Sequence, residues 1–212
     1  MTQKNNLFFA LVGPSGAGKS TLINEIIDAT KERADLPCFD LPTTATTRAI
    51  RDGEVEGVHH YFLSTKEFNA RLKNDDFLEH SATHGKKYGS LKQEFEAQLN
   101  NSHLIKDLDW VGARDIRKHL PDRTFVVLVL PLTRAQADER LTGRGKSGKD
   151  RLTTLDKTAK DITTSIYFPE RAFSSDDLKG SLLENYDLVI YNDELKKAVN
   201  RLYAFMVKKI DA

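Results

Sequence analysis

The chain has 212 residues, 39% hydrophobic and 30% charged, with a formal net charge of +1 and a single cysteine, Cys38. That length can bury a sizeable core, and the near-neutral balance lacks the basic footprint usual in nucleic-acid binders. One thiol excludes an internal disulfide framework or a cysteine zinc cluster, and no apolar run approaches the ~18 residues of a membrane span.

The polar N-terminus has no signal-peptide core, so a cytoplasmic protein is expected, with Cys38 a part-buried residue near a strand. Residues 7–12, Leu-Phe-Phe-Ala-Leu-Val, form an unbroken apolar run, as in a strand covered on both faces of a parallel sheet. Gly13-Pro14-Ser15-Gly16-Ala17-Gly18-Lys19-Ser20 follows, a complete G-x-x-x-x-G-K-[ST] loop, and then Leu22, Ile23, Ile26 and Ile27 at helical spacing. Three glycines let the backbone turn its N–H groups toward a polyphosphate, and the helix N-terminus adds partial positive charge there. Lys19 is placed to reach the β/γ-phosphates and Ser20 to hold Mg²⁺. The competing reading, a glycine-rich turn that binds nothing, does not account for strand, loop and helix standing in register. A nucleoside triphosphate is the expected ligand.

Residues 37–68 are turn-rich and polar, with a strand-like patch near 58–63. Here Arg48 and Arg51 stand three apart beside the hydroxyls of Thr46 and Thr47. Two guanidinium forks could clamp a second phosphate, although lone arginines are more often solvated surface. A helix with Leu91, Phe95 and Leu99 on one stripe comes next. Residues 104–109, Leu-Ile-Lys-Asp-Leu-Asp, read as a core strand ending in acids. Period two would set Asp107 and Asp109 on one side, toward the loop's metal; acids at a strand end can also be turn formers. Lys106 is out of place in a buried strand. Residues 125–130 and 186–191 read as further strands, and Leu195, Val199, Leu202, Phe205 and Met206 as the core stripe of a last helix. Between them, residues 140–160 are basic and glycine-punctuated. A charge run is usually a solvated face, but in a phosphotransferase a basic flap would exclude water and neutralise charge.

Taken together, these stretches resemble a guanylate kinase over nearly the whole chain. The resemblance rests on residues 13–21, on Thr46-Thr47-Arg48 through Arg51, Gly53 and Glu54, and on Phe77-Leu78-Glu79 with Tyr88-Gly89-Ser90. Asp107-Leu108-Asp109 with Gly112, Arg140-Leu141 with Gly143-Arg144-Gly145, and Asn192-Asp193 complete it. Many NTPases share the first motif; the ordered set is much more specific.

The resemblance implies an α/β P-loop NTPase fold. It would have a parallel-sheet core (1–36, 98–139 and 184–212), an inserted monophosphate-binding lobe (37–97), a lid (140–165) and an extra segment (166–183). It implies transfer of the γ-phosphoryl of ATP to GMP or dGMP with Mg²⁺. The ATP site would comprise Gly13, Pro14, Ser15, Gly16, Ala17, Gly18, Lys19, Ser20, Thr21 and Asn192. The GMP site would comprise Thr44, Arg48, Arg51, His60, Glu79, Tyr88, Ser90 and Asp109. Ser20 and Asp107 would serve the metal, and Lys19, Arg51, Arg144 and Arg151 would act in catalysis. No nucleic acid or membrane partner is implied, and a homodimer stays open.

Three departures stand out. His60, with Tyr61 beside it, occupies the place of a phosphate-binding tyrosine; family spacing puts the second lid arginine at Leu155; and the segment 166–183 is additional. A same-fold kinase acting on another phosphorylated acceptor, for example a pentose phosphate, and a non-catalytic guanylate-kinase-like binding module are the alternatives. The first has no purine edge for Glu79 to read, and the second has no use for an intact Lys19-Ser20 loop.

Overall fold

β1 (Phe8–Val12) is buried at every position, which a strand achieves only with layers on both faces. The computed structural model describes residues 6–31, 33–83, 85–131, 134–142 and 185–212. In it β1 lies at the centre of a five-stranded parallel sheet. On one side it pairs with β7 (His103–Asp107), which in turn pairs with β2 (Phe39–Asp40); on the other it pairs with β8 (Thr124–Leu130), followed by β9 (Leu188–Tyr191). The spatial order β2-β7-β1-β8-β9 reverses direction at β1. In open α/β sheets ligands bind at the carboxyl ends of the strands beside such a switch, and here that position is the start of the glycine loop.

Alternation along the strands divides the core. Phe9, Leu11, Ile105, Val127 and Val129 face α1 (Lys19–Lys31) and the last helix, α6 (Leu195–Ile210), against Leu22, Ile23, Ile26, Leu202 and Met206. Phe8, Ala10, Val12, Leu104, Val126 and Leu128 face the opposite way. They pack on Phe95 and Leu99 of α3 (Lys92–Asn101) and on Ala113 and Ile116 of α4 (Trp110–His119). A further helix, α5 (Arg134–Thr142), follows β8.

The inserted lobe is a second sheet in the order β4-β3-β6-β5: β3 (Thr44–Thr46), β4 (His60–Phe62), β5 (Phe77–Thr83) and β6 (Lys86–Leu91). Its small core joins Ala45, Phe77 and Leu91 to Phe68 of α2 (Thr65–Lys73). Both ends of the expected 37–97 segment are tied to the main body, because β2 extends the core sheet through β7 and α3 buries Phe95 in it. Cys38, expected to be part-buried, is exposed. No helix among the described residues is long and apolar enough to cross a membrane. The lid beyond Thr142, with Arg144 and Arg151, and the extra segment 166–183 lie outside the described residues.

Candidate active site

The glycine loop leaves β1 at Gly13, whose φ of 142° and lack of a side chain let it pass against the carbonyl of Val129; a Cβ there would collide with that oxygen. The loop closes through Ala17 N–H donating to Pro14 O at 3.3 Å, and α1 begins with Leu22 N–H on Gly18 O at 3.0 Å. Lys19 Nζ donates to the carbonyls of Gly13 (2.8 Å) and Pro14 (3.1 Å), so its ammonium lies along the loop. Asn192 supports the loop from below. It is 3% exposed, and its side-chain amide donates to Ala17 O at 2.8 Å. Arg140 Nη2 donates to Asn192 O at 2.8 Å, linking α5 to the same point. Across from the loop, Ser20 Oγ stands 3.4 Å from Asp107 Oδ2. The parallel register setting Leu11 beside Asp107 is what brings that carboxylate to the loop's mouth.

The lobe supplies a second group of residues. Thr44 pairs with His60 and Thr46 with Phe62 across β3 and β4, and Thr46 pairs with Tyr88 across β6. Pleating therefore sets Thr44, His60, Phe62, Tyr88 and Ser90 on one face and sends Ala45, Tyr61 and Gly89 to the other. Of the two neighbours at the departure from the family pattern, His60 is the one facing the site. Its Nδ1 lies 3.0 Å from Thr44 Oγ1, and its ring centre lies 6.5 Å from that of Tyr88. Burial pushes the His60 imidazolium down below its ordinary pKa, opposed by the Thr44 carbonyl and aided by Arg48, which keeps the ring neutral at pH 7. Tyr61 packs against the lobe core instead.

Arg48 is held by Glu54 through two parallel bonds, Nη1 to Oε2 at 2.9 Å and Nη2 to Oε1 at 2.7 Å, and its guanidinium stands 5.6 Å over the ring of Phe62. The Glu54 carboxyl is lowered to about 2, first by the Arg48 hydrogen bond and also by the backbone N–H of Arg51. The Arg51 side chain itself is exposed.

Glu79 reaches this face through an irregularity. Phe77 pairs with Leu91, but the next pair is Glu79 with Ser90, so β5 carries one extra residue. In a regular strand Phe77 and Glu79 would share a face; the bulge reverses one of them. Phe77 stays in the lobe core, Leu78 enters the main core and Glu79 turns to the site, 7% exposed. Gly89 makes the bulge possible, because a Cβ there would stand 2.7 Å from the Phe77 ring and 2.8 Å from Glu79 O. Ser90 Oγ donates to Glu79 Oε1 at 2.7 Å.

Two features differ from the sequence expectation. Asp109 does not continue the strand face of Asp107. β7 ends at Asp107, and Asp109 caps α4, its Oδ1 accepting from Gly112 N–H at 2.7 Å. A helix start leaves such N–H groups unpaired, and a short carboxylate satisfies one of them. The cap puts Asp109 on the Glu79 side, since a Cβ on Gly112 would lie 3.4 Å from both Asp109 Oδ1 and Glu79 Oε2. Lys106, which the strand pattern flagged but to which no role was given, extends beneath the lobe. Its Nζ is 3.8 Å from Glu79 Oε1 and 3.5 Å from Ser90 Oγ. Burial lowers its pKa, and the carboxylates of Glu79 and Asp107 act against that. The sequence signal was a lone cation within an apolar strand.

Adjacent residues of β7 thus make contacts in two directions. Asp107 turns to the loop and Lys106 to the lobe, because pleating sends neighbours to opposite faces. The chain matches the guanylate kinase family over residues 6–209. It is 34% identical to a guanylate kinase of Pseudoalteromonas translucida over 200 residues, 94% of this chain and 85% of that one. It is also 34% identical to a guanylate kinase of Sulfurimonas denitrificans over 203 residues, 95% of this chain and 87% of the other. Among solved structures, a guanylate kinase from Anaplasma phagocytophilum superposes with a TM-score of 0.61 at 19% identity, covering 100% of this chain and 90% of that one, a likeness of fold. With a family model matching residues 6–209 and relatives covering nearly its full length, this chain belongs to the guanylate kinase family.

Proposed function

We propose that this chain transfers the γ-phosphoryl of ATP to GMP or dGMP, yielding ADP and GDP or dGDP. The observation that carries the substrate reading is Glu79, a carboxylate 7% exposed and bonded to Ser90 on the face of the lobe that also holds Thr44, His60 and Tyr88. Guanine presents N1–H and a 2-amino group side by side, two donors for two carboxylate oxygens, whereas adenine offers a bare N1 acceptor. A sugar phosphate has no such edge, which weighs against an acceptor of that kind. A complete Gly13–Ser20 loop weighs against a purely binding role.

Phosphoryl transfer asks the protein for position and charge rather than covalent chemistry. The loop N–H groups and Lys19 hold the triphosphate, with Lys19 exchanging its loop carbonyls for phosphate oxygens. Asn192 and Arg140 keep the loop in shape. Thr44, His60, Tyr88 and Arg48 form the acceptor-phosphate side of the lobe, where a neutral His60 donates one hydrogen bond and the Glu54-anchored Arg48 supplies charge. Arg51, exposed on the next turn, adds a second charge. Ser20 and Asp107, a hydroxyl and a carboxylate brought within 3.4 Å, are the hard oxygen donors that Mg²⁺ takes. When bound, that cation would neutralise charge on the transferring phosphate. Its bacterial relatives and its use of ATP fit a cytoplasmic site of action.

A coupled assay with ATP·Mg²⁺ across the nucleoside monophosphates tests the reaction, and Glu79→Gln tests the reading of the base. The native chain should turn over GMP and reject AMP. A site built around a substrate N–H rejects an analogue lacking it by up to about 10⁴–10⁵. Glu79→Gln should lower kcat/KM for GMP sharply and narrow the GMP/AMP ratio. An unchanged ratio would pass the main reading role to Asp109.

A further inference from the structure

Glu79 is polarised by its surroundings. At Oε1 stand two donors, Ser90 Oγ at 2.7 Å and Lys106 Nζ at 3.8 Å. The Oε2 side is the one nearer an acid, since Asp109 Oδ1 and Glu79 Oε2 both flank Gly112. The Lys106 side chain is 19% exposed and reaches this position from the strand that carries Asp107. Its ammonium does more than stand beside Glu79 Oε1, because it is also 3.5 Å from Ser90 Oγ.

An edge-on guanine has its own polarity. Its acceptor, the 6-oxo group, lies beyond N1–H at one end, and its second donor, the 2-amino group, lies at the other. With N1–H and the 2-amino group on the two oxygens of Glu79, only one orientation matches both ends. N1–H takes Oε1, the 6-oxo group falls on the Ser90 and Lys106 side, and the 2-amino group falls on the Asp109 side. The reverse would set the oxo group against the acid and leave the ammonium with no acceptor on the base.

We propose that Lys106 is a specificity-determining residue that donates to the 6-oxo group of the purine acceptor, so that the site selects 6-oxopurine monophosphates and rejects 6-aminopurines. This rests on the reading of the lobe as a GMP site. The selection follows from donor chemistry. A hydroxyl can turn and accept from an exocyclic amine, but an ammonium has three donors and no acceptor. An adenine 6-amino group would meet donor against donor, in addition to the mismatch of its N1 with Glu79.

The test changes both partners of the proposed bond. kcat/KM is measured for GMP, 6-thio-GMP and AMP with native protein and with Lys106→Met, Lys106→Arg and Lys106→Gln. Replacing oxygen by sulfur weakens the acceptor at position 6 while keeping N1–H and the 2-amino group. Native protein should prefer GMP over 6-thio-GMP. Lys106→Met should cut GMP turnover by about tenfold, the order expected for a hydrogen bond to a charged group. It should also bring the GMP/6-thio-GMP ratio close to one and raise relative use of AMP. Lys106→Arg should retain the ratio. If Lys106→Met does not fold, Lys106→Gln, which keeps a neutral donor, should shift the ratio in the same direction by less.

A lysine that only balances the charge of Glu79 would, when removed, lower GMP and 6-thio-GMP equally, and an unchanged ratio in the folded variants overturns the proposal. Absence of GMP phosphorylation by the native chain would instead overturn the function on which it rests.

Discussion

Arg48 and Glu54 show how a surface-like motif acquires a fixed geometry. Glu54 receives two bonds from the Arg48 guanidinium and one from Arg51 N–H at 2.8 Å, so all its partners come from one short loop. A planar fork meeting both carboxylate oxygens is worth more than a point contact, because it fixes orientation as well as distance. Its pH dependence follows from the direction of the shift. Glu54 falls from an ordinary 4.5 to about 2 in the folded chain, so the unfolded chain binds the proton first as pH drops. The contribution is complete above about pH 4.5 and is lost progressively as pH falls toward 2. Glu54→Gln should therefore show a shallower decline of Tm between pH 4.5 and 2 than the native chain. Parallel acid limbs for the two would contradict the assignment of that carboxylate.

At the scale of elements, the bulge in β5 and the glycine opposite it form one device. The extra residue turns Glu79 to the site and leaves Phe77 stacked on Phe68, ring centres 4.4 Å apart, in the lobe core. Gly89 sits where the bulged strand comes closest, between Tyr88 and Ser90, both of which face the site. Any side chain there must displace the Phe77 ring or the Glu79 carbonyl. Gly89→Ala should cost about 1–3 kcal/mol of stability by overpacking. It should also loosen base selection, because the displaced backbone carries Glu79. Denaturant unfolding together with the GMP/AMP ratio checks both. A variant with native stability and native ratio would show that the lobe absorbs the methyl group and that the bulge does not depend on glycine.

Across the whole molecule, distant segments of chain converge on the phosphate loop. Asn192, after the last strand, holds Ala17 O, and Arg140, from the helix after β8, holds both Asn192 O (2.8 Å) and Gly16 O (3.5 Å). The loop's shape therefore depends on residues more than a hundred positions away. Asn192→Ala removes one buried tie at a cost of about 0.5–1.5 kcal/mol. It should raise the KM for ATP while leaving the Kd for GMP unchanged, since its hydrogen bonds run to Ala17, Leu130 and Arg140. Equal weakening of both substrates in steady-state and binding measurements would mean that the two sites communicate through the sheet.

What the sequence determined was the set of parts whose information is local. Residues 7–12 read as a doubly covered strand, and residues 13–20 as a phosphate loop because their glycines are contiguous with that strand and the following helix. His60 could be noticed as a departure, and Lys106 as a misplaced cation. Three-dimensional structure decided what depends on register and pleat. It settled that His60 rather than Tyr61 shares the face of Thr44 and Tyr88, because the pairing of β3 with β4 fixes which side each residue takes. It settled that Asp109 turns away from Asp107, since a helix start needs a cap more than a strand of five residues needs another turn of the pleat. It also settled that Glu79 takes the Ser90 face of the lobe, because one inserted residue reverses a face and no periodicity in the sequence announces it. Lys106 acquired its neighbours in the same way. Glu79 and Ser90 lie 27 and 16 residues before it in the chain, and only the packing of the lobe on the parallel sheet brings the three side chains together.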